Sequence, residues 1–215
     1  MDIRLHSASD TTSLDLALAD HVGRHLDAAL VARGEAWLVV SGGRTPQGLF
    51  AHLARQPRNW SRVSVTLADE RCIPADDALS NTSLIREHLQ QKTAAALRFV
   101  PLTENTHFPA QFDFVLLGMG DDGHTASIFP DSPQRDAALA IDAPDWLQVD
   151  GGNPVPQRIT LSARRLLASR SLALHVTGER KWQLLAQVLA RPQPALPVSQ
   201  LLHAPHPDKA LFWAP

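Results

Sequence analysis

The chain has no second cysteine, so Cys72 has no partner for an internal disulfide and no companions for a thiolate metal cluster. A lone thiol fits a reducing compartment. No apolar run approaches the length of a bilayer-spanning helix, and the opening MDIRLHSASD lacks a charged segment leading into an apolar one. Neither a membrane anchor nor a secretory leader is therefore expected, and the cytoplasm is the expected compartment. Charge of one sign is not in excess either. The 20 basic and 22 acidic residues give a formal charge of -2, which provides no global field for nucleic acid or an anionic membrane and leaves any anion to a local site. The histidines show no HxH or HExxH spacing, so no metal is expected, and there is no GxSxG nucleophile elbow. Repeats, low-complexity tracts and charged tails are missing as well.

What remains is an ordinary globular composition, 44% apolar in 215 residues, which fits one domain spanning 1–215. Apolar residues recur at helical spacing from 14 to 33, and Gly34 supplies a stop. The next run, AWLVV (36–40), has the length and composition of a strand buried on both faces of a parallel sheet. Similar runs lie at 63–67, 112–117, 158–161 and 172–176, with helical stretches near 46–55, 81–91 and 179–190 between several of them. This alternation predicts an α/β fold, an open and mainly parallel Rossmann-like sheet with helices on both faces. The Pro-rich stretch 192–207 reads as a loop with one short helical turn. In such sheets ligands sit beyond the carboxyl ends of the strands. Ser41, Asp69, Gly118 and Gly178 each follow a predicted strand, so four loops are expected to converge on one cleft.

Each polar motif has a bland alternative. SGGRTP (41–46) follows a strand and precedes a helix that Pro46 is placed to open. Gly42 and Gly43 let backbone N–H groups approach an anion, and with the helix dipole and the Ser41 and Thr45 hydroxyls they form a candidate phosphate cradle; the alternative is a tight strand-to-helix turn with a capping hydroxyl. It is neither a Walker loop nor a GxGxxG fingerprint, so it implies no nucleotide. In LADERCIP (67–74), Arg71 suits a bidentate phosphate contact and Asp69 suits sugar hydroxyls, although charges at a strand end can simply be solvated. Cys72 reads as a packed small hydrophobe.

FDFVLLGMGDDGHTASIFP (112–130) is the most informative stretch. A lone histidine is more often a surface or satisfied core residue. In a Gly/Asp loop after a buried strand, His124 becomes a candidate base, since imidazole exchanges protons near neutral pH, and Asp122 is placed to fix its tautomer. GERK (178–181) puts Lys181 in the first turn of a helix, where positive charge opposes the dipole unless an anion is nearby. Arg158, in PQRITLS (156–162), is a second candidate phosphate cation. The five tryptophans are scattered and suggest anchors, not a stacking platform.

Taken in order, SGGRTP, LADERCIP, SNTSL (80–84), the GMGDDGH loop, PQRITLS and GERK resemble the 6-phosphogluconolactonase family over residues 36–190. The resemblance implies a phosphosugar-isomerase-like fold and hydrolysis of a phosphorylated sugar lactone without cofactor or metal. It implies His124 as base and a phosphate held by Ser41, Gly42, Gly43, Arg71, Lys181 and Arg158. Functional coupling to glucose-6-phosphate dehydrogenase is a further implication. The related glucosamine-6-phosphate deaminases share the GxDGH loop but carry an Asn-Glu pair shortly after the histidine; here TASIFP follows, and the next carboxylate is Asp131. Asp69 matches the deaminase's proton-transfer carboxylate, and in a lactonase it is expected to position substrate or water. A deaminase or isomerase, and a non-catalytic sugar-phosphate sensor, are the alternatives. One departure stands out. Only about ten residues separate the strand at 98–101 from Phe112, too few for a helical crossover, so one sheet face is expected to be thinly covered there.

Overall fold

The structure is a computed structural model and describes residues 3–215. The elements run β1 (Arg4–Ser7), α1 (Thr11–Arg33), β2 (Ala36–Val40), α2 (Gln47–Leu53), β3 (Val63–Leu67), β4 (Asp69–Arg71), α3 (Asn81–His88), β5 (Arg98–Phe99) and β6 (Phe112–Gly118). They continue with α4 (Arg135–Leu139), β7 (Trp146–Asp150), β8 (Gln157–Leu161), α5 (Ala163–Leu167), β9 (Ser169–Thr177), α6 (Glu179–Ala190), α7 (Pro197–His203) and β10 (Lys209–Ala214).

Local chemistry sets the boundaries of the long first helix. The Asp10 side chain accepts from Ser13 N (2.8 Å) and caps α1, while Gly34 ends it at φ 74°, its N–H reaching Leu30 O. The apolar runs form the centre of the sheet because their side chains are buried on both faces: all five residues of β3 and six of the seven in β6 are buried. Seven strands make one parallel sheet in the spatial order β1-β10-β9-β6-β2-β3-β5.

That order fixes the position of the cleft. From β2 the chain moves outward to β3 and β5, whereas from β6 it moves the opposite way to β9 and β10. Right-handed crossovers therefore carry the connections from neighbouring β2 and β6 to opposite faces. On one face α1 packs against α2 and α2 against α3; elsewhere α4 packs against α5 and α7. The loops leaving β2 and β6 separate at the carboxyl edge, and the crevice between them is a topological switch point.

The sequence-based picture needs two corrections. The run Arg158–Leu161 belongs to β8 of a separate antiparallel sheet, β4-β8-β7, not to the parallel sheet. Its pairing partner β4 is only three residues long and carries the DER triplet, so the small sheet is built to hold Asp69 and Arg71 beside Arg158. Cys72, expected to pack, is exposed. Slight burial and the charges of Glu70 and Glu104 push its thiol above the usual range, the reverse of activation.

The short connection before β6 contains no helix, in keeping with its length. Most of it is exposed, but two of its side chains pack against the core. Leu102 is buried, and Phe108 packs edge-on against Phe112 with ring centroids 5.5 Å apart. Arg165 of α5 lies 4.0 Å over the Phe112 ring and donates to the carbonyls of Ala110 (3.2 Å) and Pro109. One buried guanidinium thus satisfies backbone groups that a helix would have paired internally. Replacing Arg165 with leucine should destabilise the fold by about 1–3 kcal/mol, because two part-buried carbonyls lose their donor. Chemical denaturation measures this, and an unchanged midpoint would show that the connection is held by other contacts.

Candidate active site

Three loops beyond the carboxyl edge of the parallel sheet, together with β4 and β8 of the small sheet, enclose a cleft of about 270 Å³, a size suited to one small polar ligand. Ser41, Gly42, Gly43 and Thr45 line it from the loop after β2, and Gly118, Gly120 and His124 from the loop after β6. Lys181 enters from the first turn of α6; Asp69, Arg71 and Arg158 come from the small sheet. All the sequence-identified residues except Asp122 therefore line one cavity. Asp122 stands behind His124.

The SGG loop presents its backbone to the cavity. Among the described residues, the N–H groups of Gly42, Gly43, Arg44 and Thr45 donate to no protein acceptor, and the buried Ser41 hydroxyl is likewise unpaired. Gly43 sits at φ 98°, which only glycine adopts readily. Backbone donors left without partners beside a cleft are suited to receiving an anion. The following helix is short, seven residues, so such binding rests on these amides more than on a dipole.

Asn81 packs directly against this loop. A Cβ on Gly42 would lie 1.9 Å from Asn81 Oδ1, so only glycine lets the loop lie against that side chain. Asn81 Nδ2 donates to Asp69 O (2.8 Å), while its Oδ1 accepts from Arg71 Nη1, which also donates to Leu79 O (2.8 Å). Glu70 faces away from the cleft and accepts from the backbone N–H groups of Asn81 and Thr82 at 2.8 and 2.7 Å, fixing the start of α3. Asn81 escaped the sequence reading because SNTSL carries no charge. Its signal was position, at the opening of a helix after a Ser cap.

The GMGDDGH loop is folded around the imidazole. His124 Nδ1 lies 2.6 Å from Asp122 Oδ1, which also accepts from His124 N (3.1 Å). An ionised carboxylate can only accept, so this contact puts the proton on Nδ1 and leaves Nε2 with its lone pair. Burial works against the Asp122 charge, but the hydrogen bond and charge of His124 outweigh it and hold the carboxyl below its usual range. A Cβ on Gly120 would lie 2.1 Å from the His124 ring, so this glycine is what allows the loop to close on the imidazole. Phe129 packs against the other side, ring centroids 4.4 Å apart.

Asp69 is 5% exposed and accepts from Ser127 Oγ (2.6 Å), with Arg158 Nη1 3.9 Å from the same oxygen. Burial raises its pKa against the pull of the Ser127 hydrogen bond and the Arg71 and Arg158 charges. Arg158 is itself 6% exposed and is shared among Asp69, Ser127 and Val155 O. Between His124 and Ser127, Ala126 lines the cleft at φ 49°, a left-handed conformation costing about 1–2 kcal/mol in a non-glycine residue. The Ser127–Asp69 bond and the Thr125 Oγ1 bond to Gly118 O (2.9 Å) hold it there. The sequence reading also missed His175, a polar residue inside the apolar strand LALHVT that lines the cleft.

Comparison with known proteins bears directly on this arrangement. A family model described as glucosamine-6-phosphate isomerases/6-phosphogluconolactonase matches residues 9–213. A 6-phosphogluconolactonase from Rhizobium meliloti (strain 1021) is 37% identical, with 100% of both chains aligned. One from Pseudomonas putida is also 37% identical, over 99% of this chain and 93% of its own. Among solved structures, a 6-phosphogluconolactonase from Shewanella baltica OS155 superposes with a TM-score of 0.94 at 36% identity, covering 100% of this chain and 98% of that one. A monomeric glucosamine-6-phosphate deaminase reaches a TM-score of 0.80 at 16% identity over 99% and 97% of the two chains, a likeness of fold alone. Sheet order, loop chemistry and full-length identity agree, and the chain belongs to the family of glucosamine-6-phosphate isomerases and 6-phosphogluconolactonases.

Proposed function

We propose that the chain hydrolyses 6-phospho-D-glucono-1,5-lactone to 6-phospho-D-gluconate, as a step of the oxidative pentose phosphate pathway, with His124 as general base. The observation that carries this reading is an imidazole held through Nδ1 by Asp122 at 2.6 Å, sharing one cleft with unpaired backbone amides and with Lys181. The phosphate docks on Ser41, Gly42, Gly43 and Thr45, with Arg71 and Lys181 supplying charge and Arg158 completing the wall. Docking fixes the C1 carbonyl relative to His124. Nε2 takes a proton from water as its oxygen bonds to C1. The tetrahedral intermediate collapses with cleavage of the bond from C1 to the ring oxygen, which receives that proton from the imidazolium. Asp122 steadies the imidazolium between the two steps.

Asp69 acts here as a positioning residue. A carboxylate bonded to Ser127, facing Arg158 and closed to solvent is poorly placed to shuttle protons, as a deaminase would need. The absence of a carboxylate between His124 and Asp131 favours hydrolysis in the same way. Oxidation of glucose 6-phosphate at C1 generates this lactone, which makes glucose-6-phosphate dehydrogenase the functional partner and the cytoplasm the working compartment.

His124→Asn should retain affinity for 6-phosphogluconate and lose roughly 10²- to 10⁴-fold in kcat. The assay follows acid release from freshly made lactone, corrected for spontaneous hydrolysis; near-normal turnover would remove His124 from the mechanism. Lys181→Ala should raise KM by roughly 10- to 100-fold with a smaller change in kcat, since it removes a charged contact to a non-reacting group. An unchanged KM would mean that the phosphate lies elsewhere.

A further inference from the structure

Beneath the cleft lies a buried pair of titratable groups that the hydrolytic scheme does not use. His175, near the end of β9, is 2% exposed and Asp15, on α1, is 4% exposed; His175 Nε2 is 3.3 Å from Asp15 Oδ1. Neither ring nitrogen of His175 nor Asp15 Oδ1 makes a well-aligned hydrogen bond to any described residue. Buried polar groups without partners are costly and call for an explanation. His175 lines the floor of the cavity that holds the SGG loop and Lys181, and α2 has a glycine where it crosses Asp15: a Cβ on Gly48 would lie 2.1 Å from Asp15 Oδ2. A ligand in the cleft is therefore the available partner.

Resting on the phosphate site assigned above, we propose that His175 is a further ligand of the substrate's phosphate, and that the Asp15–His175 pair takes up one proton as the dianion docks. His175 then donates one N–H to a phosphate oxygen, while its other nitrogen shares a proton with Asp15.

The charges around the pair favour this coupling. Lys181 faces His175 from α6; across the cleft stand Arg44, Arg71 and Arg158, with Asp69 and His124. Without a ligand, burial first and Lys181 second lower the imidazole to about 4, whereas burial raises Asp15 to about 6. The two groups are close enough to titrate as a unit, and Lys181 acts against an extra proton on that unit while no anion is bound. A phosphate dianion offsets Lys181 and stabilises the protonated pair, moving that uptake into the physiological range.

The test is calorimetry of 6-phosphogluconate binding at about pH 7.5, where a phosphomonoester with its second pKa near 6 is already a dianion, in buffers of different ionisation enthalpy. Wild type should take up most of one proton per ligand bound. His124→Asn should keep that uptake, which separates it from the proposed catalytic imidazole. His175→Asn should abolish it and weaken binding roughly 10- to 100-fold, and Asp15→Asn should also abolish it. Binding by wild type without proton uptake, or uptake undiminished in folded His175→Asn, overturns this inference and leaves the phosphate site standing. If wild type does not bind 6-phosphogluconate at all, the phosphate site falls with it.

Discussion

The arrangement depends on the reversal of chain direction between the adjacent parallel strands β2 and β6. Because crossovers in a parallel sheet are right-handed, chain that moves outward on either side of this boundary must leave by opposite faces. Two loops that would otherwise pack on each other are parted, and their glycines line the gap. One loop contributes unpaired amides and the other an imidazole, so open backbone donors and a histidine are juxtaposed by topology before any side chain is optimised. The small antiparallel sheet then closes the gap from the side and brings in Asp69, Arg71 and Arg158.

The site is held by side chains that act on one another. Glu70 anchors the start of α3, Asn81 at that start fixes Arg71 and packs against the SGG loop, and Ser127 ties the strained turn at Ala126 to Asp69. The polar groups most deeply buried here are therefore supports. Those left unpaired in the loop after β2, the amides and the buried Ser41 hydroxyl, are the ones that a ligand can satisfy. The strain at Ala126 is borne by this framework and lies where backbone direction decides how the His124 loop meets the cleft.

Much of this was legible in the sequence because parallel strands buried on both faces leave uninterrupted apolar runs. The residues immediately after such runs are the ones that reach the cleft. Ser41 and Gly118 could be placed on that basis alone, and Lys181 by its place in the first turn of the helix after Gly178. Antiparallel pairing leaves no comparable mark in three residues, so β4 was invisible and Arg158 was assigned to the wrong sheet. Arg165 illustrates another limit, since its use as a donor to the short connection before β6 depends on contacts between segments distant in sequence. His175 was hidden by its apolar neighbours, and Asn81 by its lack of charge. The same sequence resemblance that pointed to lactone chemistry also named the phosphate cations, but it offered no hint that Arg158 would be shared with Asp69 and Ser127.

The central claim is that Asp122 sets the tautomer and steadies the charge of the imidazole that performs the chemistry. The most direct measurement is the steady-state kinetics of Asp122→Asn on fresh lactone, because an amide can occupy the same space but cannot balance an imidazolium. The account predicts a fall in kcat of roughly 10- to 100-fold with KM little changed. A variant that turns over at the wild-type rate would contradict it.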